Sequence, residues 1–185
     1  RGRVRGRSAA NPQSFQDLRI KMPFVDTQLV LFDEDYRKVL GVCERLARDA
    51  HAKGVFVVDK NGLLMAEAGD VRGLDTTSLA SLTAGSIAAT GGLAKIIGEE
   101  EFPIHFHQGA RDNLHMTVVA KRIILVVIFD DRSSLGLVRL RVKKAGSELA
   151  RLFEEIQKKS ERNRNSATSP FAEITDDDID KLFAD

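Results

Sequence analysis

At 185 residues and 20.4 kDa, the chain has enough length for one domain with some to spare. Its formal net charge of +1, from 28 Lys+Arg against 27 Asp+Glu, speaks against a whole-protein electrostatic grip on nucleic acid or anionic membrane. The single cysteine, Cys43, excludes an intramolecular disulfide framework and fits a reducing cytosol, and the longest apolar run, Ile123–Phe129, falls far short of the about 20 residues of a membrane-spanning helix.

The charge is unevenly spread. Arg1, Arg3, Arg5, Arg7, Arg19 and Lys21 face one acid, Asp17, in residues 1–21. Residues 1–22 are therefore expected to form a disordered basic extension, with Met22 a candidate start. No apolar stretch follows the arginines, so an export signal is not expected. With no Trp and one Tyr, an aromatic platform for single-stranded nucleic acid is not expected either.

From Asp33 onward, Tyr36, Val39, Leu40, Cys43, Leu46, Ala47 and Ala50 step by three and four and predict a first helix. Its start carries Asp33, Glu34 and Asp35, and Gly54 is expected to end it. Cys43 lies on the apolar stripe and reads as core. Two strands, Val55–Val58 and Leu63–Ala66, flank Asn61-Gly62, a strong hairpin signal.

A second helix is expected over Thr76–Ile97, capped by Asp75 or Thr76. Leu79, Leu82, Leu93, Ile96 and Ile97 are expected to face the sheet. Ser81, Ala84, Ala88, Gly91, Gly92 and Lys95 form a small-residue face where a solvated helix would carry Glu, Lys and Gln. Interior glycines cost about 1 kcal/mol each, so this face predicts a second packing surface. A segment of the same chain could cover it instead.

Strands follow near 103–108, 113–120 and 122–130, with turns at Gly109–Asp112 and Lys121-Arg122. Ile123–Phe129, apolar throughout, predicts a central strand buried on both faces. A third helix is expected from Ser133 or Ser134 to about Ser160, with Leu137, Leu140, Ala145, Leu149, Leu152, Phe153 and Ile156 as its stripe. Residues 161–170 read as a polar linker. The order of elements gives an α+β class with helices on both faces of a largely antiparallel sheet.

Catalytic motifs are absent: the chain has no G-x-x-x-x-G-K-[ST], no G-x-G-x-x-G after a strand and no G-x-S-x-G. His105, His107 and His115 form a candidate metal cluster, but no cysteine or acid spacing supports it, and a solvated face is the simpler reading. No metal, no cofactor and no catalytic residue are expected. The tail, 171–185, is acidic and amphipathic. Thr175 and Asp178 resemble a capping box, and Ile179, Leu182 and Phe183 share one apolar face. A helix this short is marginal alone, so the tail is expected to fold by docking into a groove; an inert tail is the alternative.

Several stretches carry a resemblance to a known family: Val57–Gly62, Asp75–Gly85, Gly91–Lys95, Ser133–Arg141 and the tail from Ser169. Together they resemble the roadblock/dynein-light-chain domain family, and within it bacterial polarity regulators of gliding motility. The resemblance covers about residues 26–185 and places the roadblock domain at 23–160. It implies an α/β/α sandwich, a five-stranded antiparallel sheet with one helix on one face and two on the other. It implies a homodimer with a continuous sheet, cytoplasmic and concentrated at a cell pole. It further implies binding to a small Ras-like GTPase in its GTP form, two copies per GTPase, and stimulation of hydrolysis without an arginine finger. Ser81, Ala84, Ala88 and Lys95 would meet the GTPase, and the tail residues Phe171, Ile174, Ile179, Leu182 and Phe183 would make a second contact. The alternatives are a non-catalytic scaffold tethering a GTPase or motor, nucleic-acid binding by the basic arm, and an enzyme or sensor using the histidines. Neither membrane nor nucleic acid is expected as a partner.

Overall fold

The computed structural model describes residues 31–166. Its elements run α1 (Asp33–Asp49), β1 (Gly54–Asp59), β2 (Leu64–Gly69), α2 (Thr76–Ile96), β3 (Ile104–Gln108), β4 (Asn113–Val119), β5 (Ile123–Phe129) and α3 (Leu135–Ser166). The strands form one antiparallel sheet in the order β2-β1-β5-β4-β3. The apolar β5 holds the centre, as its composition requires, since a central strand leaves no side chain facing water.

Strand alternation sends the apolar residues to two layers. Val55 and Val57 of β1 and Leu125, Val127 and Phe129 of β5 pack with α1 and α3. Phe56 and Val58 of β1, Ile124 and Val126 of β5 and Met116 of β4 pack under α2. The result is the expected α/β/α sandwich, one helix on one face and two on the other.

α1 buries Val39, Val42, Cys43, Leu46 and Ala47. Cys43 is core as expected, and burial pushes its thiol up to about 12. Gly54 does not end this helix. The chain turns at His51, with φ 49, where Ala52 N–H donates to the Ala47 carbonyl and His51 N–H to that of Arg48. That pair of bonds is a Schellman motif built on a histidine. Gly54 instead opens β1, where an added Cβ would lie 3.0 Å from the Phe56 ring.

α3 differs from expectation in two ways. Its core stripe is Val138, Val142, Ala145, Leu149, Phe153 and Ile156, while Leu140 is exposed. Stepping from Val138 rather than Leu137 keeps every contact on one side of the helix. The helix also continues to Ser166, into the polar stretch expected as linker from residue 161. Lys159 Nζ reaches the buried Asp35 Oδ1 at 3.1 Å and ties α3 to α1.

Candidate functional site

The candidate surface is the outer side of α2, built on its N-cap. Asp75 accepts from the Ser78 backbone N–H at 3.0 Å and from the Ser78 hydroxyl at 2.6 Å. Those bonds, the hydroxyl foremost, hold its carboxyl below the ordinary aspartate range. The cap was legible in the sequence. The facing of the helix was not.

α2 meets the sheet through Ala80, Thr83, Ala84, Ile87 and Ala94. Ala80, Ile87 and Ala94 are seven apart, so they run in one line along the helix. The sheet offers large residues here, Phe56, Met116, Ile124 and Val126, so the helix supplies small ones and its backbone comes close. The β1–β2 turn comes equally close. Asp59 accepts from Asn61 N–H, and Gly62 follows with φ 87. A Cβ on Gly62 would stand 3.2 Å from Ser81 Cα.

This inverts the expected facing. Leu82, Leu93, Ile96 and Ile97 do not cover the sheet; they are 73%, 57%, 81% and 68% exposed. Residue size alone gives the wrong side, because the small residues are the ones that fit over the bulky strands. Leu79 is half-buried at the border. Of the expected binding residues, Ser81, Ala88 and Lys95 are exposed along one flank beside the apolar patch. Ala84 lies at the base of that flank, largely buried against the sheet in the single chain. Phe171, Ile174, Ile179, Leu182 and Phe183 lie outside the described residues.

The second unpartnered feature is β3, which pairs only with β4 and forms one edge of the sheet. Ile104 on this edge is 53% exposed. The candidate metal cluster comes apart here. His115 lies opposite Phe106 in the register, so it shares that residue's face, while His105 and His107 point to the other. His105 Nε2 lies 2.7 Å from the Phe102 carbonyl oxygen. Among the described residues, no group of three or more His, Cys, Asp or Glu could hold a metal ion. No helix among them is long and apolar enough to cross a membrane.

Comparison with known proteins agrees with this architecture. Residues 38–129 match the Roadblock/LC7 domain. The chain is similar to a solved structure of Myxococcus xanthus MglB, with 61% identity over 69% of this chain and 96% of that one, at a TM-score of 0.66. It is similar to the gliding protein MglB from Thermus thermophilus, with 34% identity over 71% of this chain and 99% of that one, at 0.66. An MglB structure described as having a tetrameric arrangement gives 34% identity over 71% and 99%, at 0.67. No protein of curated function matches the chain. With 61% identity over 69% of its length to one MglB and a Roadblock/LC7 match over residues 38–129, this chain belongs to the MglB-type roadblock/LC7 proteins.

Proposed function

We propose that the chain is a GTPase-activating co-regulator of a small Ras-like GTPase of the MglA type, acting in cell polarity and gliding motility. It binds the GTP form as a homodimer, two copies per GTPase, and stimulates hydrolysis without supplying an arginine finger. The observation that carries this reading is the α2 surface. Leu82, Leu93, Ile96 and Ile97 form an exposed apolar strip, next to the short side chains of Ser81 and Ala88. A strip of that kind is normally covered. The similarity to MglB of M. xanthus and to the gliding protein of T. thermophilus supports the choice of partner class.

The test is GTP hydrolysis by the cognate GTPase with and without this protein. Stimulated turnover is expected for the wild type, and its loss for Ala88→Arg with the circular dichroism spectrum unchanged. Ala88 is exposed, so the arginine can be accommodated while it blocks close approach. Normal stimulation by Ala88→Arg would reject the platform. A complex that forms without faster turnover would mean the scaffold reading instead. Deleting residues 170–185 is expected to weaken GTPase binding and leave the dimer intact; an unchanged affinity would remove the tail from the contact.

A further inference from the structure

A second unfilled feature lies on the opposite face of the sheet, in the groove between β3–β4 and α3. The groove has a volume of about 610 Å³ and is lined by Ile104, His115, Thr117, Val119, Arg139 and Lys143, among others. Gly146 of α3 comes close to the strand beneath it, its position for a Cβ lying 3.6 Å from Val119 Cγ2.

Two observations point to an occupant with acidic groups. His115 is only 1% exposed, yet neither ring nitrogen has a hydrogen-bond partner among the described residues. Burial, and then the nearby Arg139, push its pKa down, so the ring is neutral and offers one N–H donor and one acceptor. An unpaired buried polar group is costly, which favours a ligand that satisfies it. Arg139 and Lys143 stand exposed along the groove, with no ion-pair partner among the described residues. The same side of α3 continues with Lys144, Arg151 and the exposed Leu140. The one acid there, Glu148, is taken up by Arg45.

The chain itself carries the complement. Residues 171–185 hold six acids against one base, with Ile174, Ile179, Leu182 and Phe183 between them. α3 is described to Ser166, five residues before the tail, and Lys143 lies roughly 35 Å back along it at the helical rise. The residues from Ser166 to Ile179 reach roughly 40 Å when extended, enough to return there. We propose that, in the chain on its own, the acidic tail folds back along α3 and docks in this groove. Its apolar residues sit over Ile104, carboxylates meet Arg139 and Lys143, and one accepts from His115, whose ring must turn toward the groove to present a nitrogen. The proposal concerns the chain without any GTPase and stands whether or not the GTPase reading does.

The test uses the full-length chain with a nitroxide at Ala184→Cys; the buried Cys43 takes no label. Isotope-labelled amides of Thr117, Val119, Gly146 and Ser147 are expected to lose most of their intensity. Arg139→Glu/Lys143→Glu and, separately, Phe183→Asp are expected to restore it. His115→Phe, which keeps the core filled, is expected to restore it in part. Unbroadened groove amides would overturn the proposal, as would broadening that survives the charge reversal. Broadening seen only between spin-labelled and isotope-labelled copies in a mixed sample would also overturn it, by placing a second chain's tail in the groove.

Discussion

Two backbone positions bend the chain through the left-handed region, one on a residue that disfavours it and one on a glycine that does not. His51 holds φ 49 at the end of α1, and Gly62 holds φ 87 in the β1–β2 turn. A left-handed conformation costs a non-glycine residue about 1–2 kcal/mol. His51→Gly is therefore expected to stabilise the fold by about 0.5–1 kcal/mol, read as a higher urea midpoint at unchanged slope. Gly62→Ala is expected to do the reverse, costing about 2 kcal/mol, because it adds the Ser81 contact to the strain. The second position was legible: Asn-Gly between apolar runs announces such a turn. The first was not, because the left-handed site carries a histidine while the nearest glycine, Gly54, opens β1 instead. Nothing local distinguishes a glycine that turns the chain from one that lets Phe56 pack.

For the elements, the types of all eight and the central place of β5 could be read from periodicity and composition. The orientation of α2 could not. A helix with apolar residues on both its buried and its exposed sides has little to orient it, so the partner layer decides which side is buried. The layer here is Phe56, Met116, Ile124 and Val126, residues far apart in sequence, and they select alanines. The sharpest test is a pair of substitutions one helical turn apart. Ala84→Arg would bury a guanidinium against the sheet and is expected to cost more than about 3 kcal/mol. Ala88→Arg is expected to stay within about 0.5 kcal/mol of wild type. Equal thermal melting of the two would show that the helix is turned differently. The cap adds a pH dependence. The Asp75 carboxylate is favoured in the folded state, so its contribution is present above the ordinary aspartate value and lost as pH falls through the depressed one. Asn caps as well as Asp, so Asp75→Asn is expected to keep the helix and flatten the acid limb of stability against pH.

At the scale of the whole molecule, the two unpartnered features ask for the same solution. β3 leaves a row of backbone groups open at the sheet edge, and natural sheets usually pair, cover or charge such an edge. α2 leaves Leu82, Leu93, Ile96 and Ile97 in water. Among the described residues nothing closes either, because the remaining helices already cover the opposite face. A second copy related by a two-fold axis could close both, pairing edge with edge while the α2 helices lie side by side. That a second packing surface exists was legible from the small residues of α2; that it includes Leu82, Leu93, Ile96 and Ile97 was not, because such a surface belongs to two chains and is complementary to itself. Leu93→Asp/Ile96→Asp is therefore expected to give a folded monomer by analytical ultracentrifugation, with the melting temperature of the wild type rising with concentration and that of the variant constant. The variant should bury no new charge, since both positions are open in the single chain. If it sediments as a dimer, the α2 strip is not part of the self-association and is left wholly to the GTPase. If it unfolds, the single chain does not hold α2 in the described orientation, and the platform formed by Ser81 and Ala88 falls with it.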